Sequence, residues 1–516
     1  MRRKFAVAVS ALLLATGPPA LARAAGPDPQ AGPNPHLDQT IAWQPCAEPE
    51  LQGLECGSFT APLDWRTPAD GRSITIAVSR LKAANGQARG SVLTNPGGPG
   101  AAGRLLPAVF ASRAKLVADL EVIGIDVRGT GASSNTTCGG FDFLTVTDTR
   151  DRSRANTELI YDAAELQATA CQVRSGEFGK LVNTEQTVRD LDLLRHLLGR
   201  EKINWIGYSG GSWMGAYYAT YFPERVDRFV LDSNVDFTST WQDVFDNFGF
   251  GFERRFRTDF LPWVARYDGL YHLGTTAEGV RQAYEATRAE LAASPLPLPD
   301  GGVVDATLLD LVLIRGQYSK QTFPQVAEFL AALAQATAAE ARTAPAAVAT
   351  AVAQYPDASN GTLYSVLCND TRFRHNRTTL ALEAERLGRQ YPLFGYYQIA
   401  APCAFWDRPA LNLKKPNGKG VPPVLMVQSV RDPATPLEGA QRAHRNFAGS
   451  RLLTVTDEGD HGIYGFGNAC VDDVVESFVV DGVVPPAEST CPGVPLPDPT
   501  APAAAQVLPT PLGWPL

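Results

Sequence analysis

The residues best suited to chemistry in this chain sit in one short run, Gly207-Tyr208-Ser209-Gly210-Gly211, which fits G-x-S-x-G. Asn204 to Ile206 read as the end of a buried strand, and Ser212 to Phe222 continue as a helix with small residues on one side. A strand-turn-helix of this kind holds a serine in a strained conformation with its hydroxyl presented at the turn. The flanking glycines are needed because the turn leaves no room for a β-carbon. Ser209 also opens a helix, where backbone N–H groups favour developing negative charge. The same motif describes an ordinary glycine-rich turn, so the reading depends on the partners a nucleophilic serine requires.

A serine hydroxyl is a weak nucleophile at neutral pH and needs a general base, itself oriented by a carboxylate. In an α/β-hydrolase these follow in the order Ser, Asp or Glu, His. Of the 6 histidines, His36 lies near the N-terminus and His196 on a helix ahead of the elbow. His272 and His375 fall in a helical region, and His444 on the helix between the last two core strands. His461, in Glu458-Gly-Asp-His-Gly462, sits in a loop directly after a late strand, which assigns it as the base. Asp432, in Ser429-Val-Arg-Asp-Pro-Ala-Thr-Pro436, follows the seventh strand and is the assigned acid. Asp460 adjoins His461, but neighbouring side chains in an extended segment point apart. Asp236, after strand six, is the alternative, because some hydrolases place the acid there. The loop Asn95-Pro-Gly-Gly-Pro-Gly100 follows the third strand, so Gly98 and Gly210 are expected to donate to an oxyanion.

These residues require a sheet to position them. Gly57 to Asp64 and Ser73 to Lys82 alternate apolar and polar residues and read as opening antiparallel strands. Ser91–Thr94, Glu121–Val127, Asn204–Ile206 and Arg228–Asp232 continue the sheet. The α/β alternation then breaks, and residues 237 to 415 are rich in helical stretches such as Ala327–Ala353. It resumes at Pro423–Gln428 and Arg451–Thr456. The expected fold is therefore α/β, a mostly parallel α/β-hydrolase sheet with a helical cap inserted between strands six and seven. The core occupies 25–236 and 416–491, the cap 237–415, and 492–516 is a Pro- and Ala-rich tail.

Residues 1–24 have a different character. Arg2-Arg3-Lys4 precedes an apolar run from Phe5 to Ala15, and Ala20-Leu-Ala22 and Ala22-Arg-Ala24 offer small-x-small cleavage sites, the layout of a signal peptide. The apolar run is far shorter than the ~20 residues a membrane span needs. A secreted, extracellular protein is expected, with no membrane partner. The formal charge is −8, and losing residues 1–24 removes Arg2, Arg3, Lys4 and Arg23 and no acid, so nucleic acid is excluded as a partner. There are 8 cysteines, and export makes disulfides the default over metal ligation, since no C-x-x-C pair occurs. Neither a metal nor an organic cofactor is implied.

With Ser209, Asp432, His461 and the Asn95–Gly100 loop in place, the sequence resembles the secreted tripeptidyl aminopeptidases of actinomycetes, α/β-hydrolases related to proline iminopeptidase. The resemblance runs from about Cys46 to Cys491. Besides the elbow it rests on Asp126-Val-Arg-Gly-Thr-Gly131, Asp190-Leu-Asp192, Phe222-Pro-Glu-Arg-Val226, Val230-Leu-Asp232 and Arg431-Asp-Pro-Ala-Thr-Pro436. It implies disulfides between sequence neighbours, Cys46–Cys56, Cys138–Cys171, Cys368–Cys403 and Cys470–Cys491, out of 105 arithmetically possible connectivities. Family members usually carry Tyr-Gly-Thr after the nucleophile. Here Gly210-Gly211-Ser212 is followed by Trp213, which implies a changed pocket floor and makes Trp213 a substrate-binding candidate.

The resulting expectation is a secreted serine hydrolase releasing short peptides from a free N-terminus. The alternative is a carboxylesterase acting on small esters or lactones with the same triad. A non-catalytic binding protein on this scaffold is disfavoured by the intact triad. An aminopeptidase needs a carboxylate for the substrate ammonium, and Glu253 and Asp370 in the cap are the candidates.

Overall fold

A computed structural model of the chain describes residues 34–140, 147–297, 302–335, 356–374 and 376–501. The expected signal peptide, most of the tail, the later part of Ala327–Ala353 and His375 lie outside the described residues. The sheet strands are β1 (Gln44–Pro45), β2 (Glu55–Pro62), β3 (Ser73–Leu81), β4 (Gly90–Asn95), β5 (Leu120–Asp126), β6 (Ile203–Tyr208) and β7 (Val226–Asp232). A two-residue ribbon in the cap, β8 (Leu296–Pro297) and β9 (Val303–Val304), precedes β10 (Val424–Ser429), β11 (Arg451–Thr456) and β12 (Glu488–Pro492).

The ten sheet strands run in the order β1-β2-β3-β5-β4-β6-β7-β10-β11-β12. The β1–β2, β2–β3 and β3–β5 pairings are antiparallel, and every pairing from β5–β4 onward is parallel. The parallel strands β5, β6 and β10 are buried at every residue. That explains their near-continuous apolar runs, since a parallel sheet is covered on both faces. β1 and β12, short edge strands, carry too little apolar signal to be read from sequence.

The cap is mostly helical between β7 and β10, as its composition implies, but it contains the β8–β9 ribbon. A second excursion, between β5 and β6, joins it. The hydroxyls of Thr136 and Thr362 lie 3.0 Å apart, Arg288 pairs with Asp148 at 2.6 Å, and Tyr161 donates to the Arg377 carbonyl at 2.5 Å. In the sequence the 136–181 excursion has no apolar pattern that distinguishes cap from core, so the composition points to 237–415 alone. One buried cluster holds Trp205, Phe229 and Met426 of the sheet together with Phe252, Tyr318 and Phe323 of the cap. Cap and sheet therefore share a core. Disulfides link Cys46–Cys56, Cys138–Cys171, Cys368–Cys403 and Cys470–Cys491.

The helix Thr184–Leu197 feeds the elbow strand β6, and a buried ion pair holds it in place. Arg128 donates to both carboxylate oxygens of Asp190, at 2.6 and 2.7 Å, with both side chains essentially inaccessible. The remaining guanidinium protons go to the carbonyls of Pro62, Leu63 and Leu181, and the Trp65 indole N–H donates to Asp190 at 2.7 Å. Removing one partner would strand a buried charge, a loss of about 3–5 kcal/mol. We expect Arg128→Met to lower the denaturant midpoint accordingly, and the double change Arg128→Met with Asp190→Leu to recover most of the loss. Equal midpoints for Arg128→Met and wild type would show that the pair does not anchor this helix.

Candidate active site

Ser209 lies between β6 and the helix Gly210–Tyr221, with φ 54° and ψ −122°. A non-glycine residue there costs about 1–3 kcal/mol and persists only where its surroundings impose it. The surroundings are specific. The Ser209 N–H donates to the Asp232 carbonyl at 3.0 Å, and the Ser212 hydroxyl donates back to the Ser209 carbonyl at 2.6 Å. A β-carbon on Gly211 would lie 2.6 Å from the Asn95 carbonyl oxygen, so only glycine fits where the elbow crosses the third-strand loop. Ser212 is fully buried and occupied in supporting this turn, which leaves Ser209 as the serine at the site.

The Asn95–Gly100 loop packs directly on the elbow. The Asn95 side-chain oxygen accepts from the Gly97 N–H at 2.9 Å. Gly97 has φ 98°, and a β-carbon there would meet the Tyr208 carbonyl at 2.4 Å and the Gly210 nitrogen at 2.7 Å. A β-carbon on Gly210 would in turn lie 3.2 Å from the Gly98 backbone. Among the described residues, neither the Gly98 nor the Gly210 N–H donates a turn or loop hydrogen bond. Two amides this close beside a serine are the donors an oxyanion requires.

His461 and Asp432 leave the sheet after β11 and β10, close to the end of β6. The His461 Nδ1 is 2.9 Å from each oxygen of Asp432, and both residues are fully buried. Asp432 is held by the N–H groups of Ala434 and Thr435, at 3.0 and 2.8 Å. The backbone around His461 is pinned from three directions. Its N–H donates to the Tyr318 carbonyl of the cap at 2.9 Å. The Gly462 N–H donates to the Ser233 hydroxyl at 2.7 Å, and those of Ile463 and Tyr464 to the Asp232 carboxylate at 3.0 and 2.8 Å. Burial pushes that carboxylate up to about 6, opposed by the two N–H groups.

The competing acids are engaged elsewhere. Asp236 accepts from Arg442 at 2.9 Å and from the Thr238 hydroxyl at 2.7 Å. Asp460 accepts from Arg255 and from the Lys320 backbone N–H, at 2.8 Å for the latter. Arg255 also reaches Asp259, which pairs with Arg431, and Lys320 pairs with Glu458. This network ties the cap to the loops carrying Asp432 and His461. Tyr318, Lys320, Arg255 and Asp232 were not identified as site-supporting residues from sequence. Only Asp232 lay in a noted motif, and none of the four has a spacing that announces its role.

A family model described as "TAP-like protein" matches residues 391–491, the segment containing Asp432 and His461. The chain is 34% identical to the tripeptidyl aminopeptidase of Streptomyces coelicolor, over 87% of this chain and 86% of that protein. The chain belongs to the tripeptidyl aminopeptidase family. It is also 26% identical to Serine protease Hip1 of Mycobacterium tuberculosis, over 89% of this chain and 92% of that protein. A Mycobacterium tuberculosis protein named Carboxylesterase B is 27% identical over 87% of this chain and 89% of its own.

Within this tripeptidyl aminopeptidase family member, the three substrate-binding candidates occupy different settings. Glu253 is paired with Arg257 and accepts from the Leu393 N–H at 3.0 Å. Asp370 accepts from the Thr184 N–H and hydroxyl, at 2.9 and 2.5 Å, and from the Trp241 indole at 3.4 Å. Burial pushes it up to about 6. Both acids are therefore already hydrogen-bonded within the protein. Trp213 is buried, stacks on Trp241 with centroids 4.2 Å apart, and donates to Thr184 at 3.1 Å. It lines a small cavity of about 10 Å³ together with Gly97 and Gly210. That is room for about one water, and Trp241 lines the same small cavity.

Two experiments test these placements. A serine-directed phosphonate should label Ser209, and Ser209→Ala should leave no turnover above background; labelling at Ser212 would refute the assignment. Asp432→Asn should lower kcat by about three to four orders of magnitude through the wrong imidazole tautomer, whereas Asp236→Asn should leave it near wild type. The opposite ranking would move the acid to the end of β7.

Proposed function

We propose that this protein is a serine aminopeptidase that releases short peptides, of tripeptide size or similar, from free N-termini, with Ser209, His461 and Asp432 as its triad. The observation carrying this reading is the buried His461–Asp432 pair beside a strained serine elbow, under a cap that shares the core of the sheet. The Ser209 oxygen attacks the scissile carbonyl as His461 takes its proton, and Asp432 stabilises the imidazolium. The Gly98 and Gly210 N–H groups receive the oxyanion, typically worth about 3 kcal/mol per donor. The C–N bond then breaks, and the leaving amine departs with the proton held by His461. Water attacks the acyl-serine by the same route in reverse and frees the peptide.

The sharing of one core between cap and sheet supports limited access to the serine, as an exopeptidase requires. The names of the Streptomyces and Mycobacterium peptidases support the same substrate class. The four disulfides support export, since such bonds persist in oxidising compartments. No described helix is long and apolar enough to cross a membrane.

Chromogenic tripeptidyl anilides with free and acetylated amines test the reading. Acetylation removes the charge that a buried acid would pair with, a loss of ~2–5 kcal/mol for a desolvated pair. The free form should be cleaved at least about a hundredfold better in kcat/KM. Equal rates on both forms, beside fast hydrolysis of short acyl esters, would instead identify a carboxylesterase.

A further inference from the structure

A cavity of about 110 Å³ lies between the cap helices Trp241–Asp246 and Asp357–Asp370 and the segment around Phe394–Cys403. It holds several times the ~10–15 Å³ that one water needs. Its walls are largely apolar, with Phe245, Leu311, Leu363, Phe394 and Tyr397 contributing. Two rows of packed rings lie between it and the candidate active site. On one side Trp241 stacks on Trp213, which shares the small cavity with Gly97 and Gly210. On the other, Phe394 stacks on Phe252 at 5.2 Å, Phe252 meets Tyr318 edge-on at 5.4 Å, and Tyr318 meets His461 at 5.3 Å. The cavity thus shares Trp241 with the small cavity beside the Asn95–Gly100 loop, and packed aromatic side chains stand between it and the imidazole.

Among the described residues one carboxylate, Asp246, lines it. Asp246 has no hydrogen bond or ion pair among the described residues. The charged groups facing it are committed to each other: Arg374 pairs with Asp243 at 2.5 Å, and Arg386 pairs with Glu383. Burial, then Glu383 and Asp243, push the Asp246 carboxyl up to about 7, against Arg374 and Arg386. Asp246 also ends its helix, where the carbonyl ends of the peptide dipoles favour a cation and disfavour an anion. An acid in this setting is stabilised by an incoming positive charge.

We infer that this cavity receives the N-terminal end of the peptide, with Asp246 as the counter-ion of its ammonium and the aromatic walls favouring an apolar first side chain. This rests on the aminopeptidase reading and replaces Glu253 and Asp370 as the anchor. Its test is the ratio of kcat/KM for free over acetylated tripeptidyl anilide, measured in wild type, Asp246→Asn and Glu253→Gln. The ratio should collapse from at least about a hundredfold to within a few-fold of unity in Asp246→Asn, and Glu253→Gln should keep the wild-type ratio. A free-amine preference intact in Asp246→Asn would overturn the anchor while leaving the aminopeptidase reading standing. No preference in wild type would overturn both. Unfolding at pH 8 checks that the variant is sound. The folded-state pKa of Asp246 is raised, so its cost to stability is absent below the unfolded value near 3.8, grows as pH rises and is full above about 7. Asp246→Asn should therefore unfold at the same temperature as wild type or higher. A lower midpoint would mean that Asp246 holds a structural contact and would overturn its assignment to substrate.

Discussion

The site depends on holding one buried imidazole in a fixed orientation. His461 has no access to solvent, and its ring contacts Asp432 through Nδ1 while its backbone is fastened to Tyr318 of the cap. The residues immediately after it hang on Ser233 and Asp232. A base that must accept and return a proton within one catalytic cycle cannot rotate freely, because a small misplacement of a reacting group costs orders of magnitude in rate. The supports come from β7, from the β10 loop and from the cap, segments far apart in sequence.

The cap accordingly has two roles that share the same residues. Arg255 and Lys320 supply the positive charge facing Asp460 and Glu458, two acids on the histidine loop whose other partners are neutral backbone N–H groups. Burial and the neighbouring Glu458 raise Asp460, while Lys320 and Arg255 outweigh burial at Glu458 and hold it below its usual range. Breaking such a network by removing one member leaves an uncompensated charge. Under the proposed function, substrate enclosure and the orientation of His461 would be coupled, and a change in the cap would disturb both.

The elbow shows how local strain is kept in place by distant packing. Ser209 has an unfavourable backbone conformation, and the Asn95–Gly100 loop approaches so closely that Gly97 and Gly211 cannot carry a side chain. Trp213, Trp241 and Tyr217 form a stack beside the Asn95–Gly100 loop. Trp213 does not line the larger cavity; Trp241, stacked on it, does.

The core strands were legible because parallel strands buried on both faces need continuous apolar runs, as in β5 and β6. The elbow was legible because its glycines and serine are adjacent in sequence and each is required by local backbone geometry. Asp432 and His461 could be selected because chain order and strand position restrict where a triad can close. The supporting residues could not. Asp232, Tyr318, Arg255 and Lys320 act across long sequence separations, and nothing in their spacing marks them. Glu253 and Asp370 were plausible cap acids in the sequence, yet the fold supplies Glu253 with Arg257 and Asp370 with Thr184 and Trp241, and leaves Asp246 facing an apolar cavity. Local chemistry determined the candidate nucleophile and the sheet, whereas the availability of a buried charge depends on which neighbours tertiary packing brings to it.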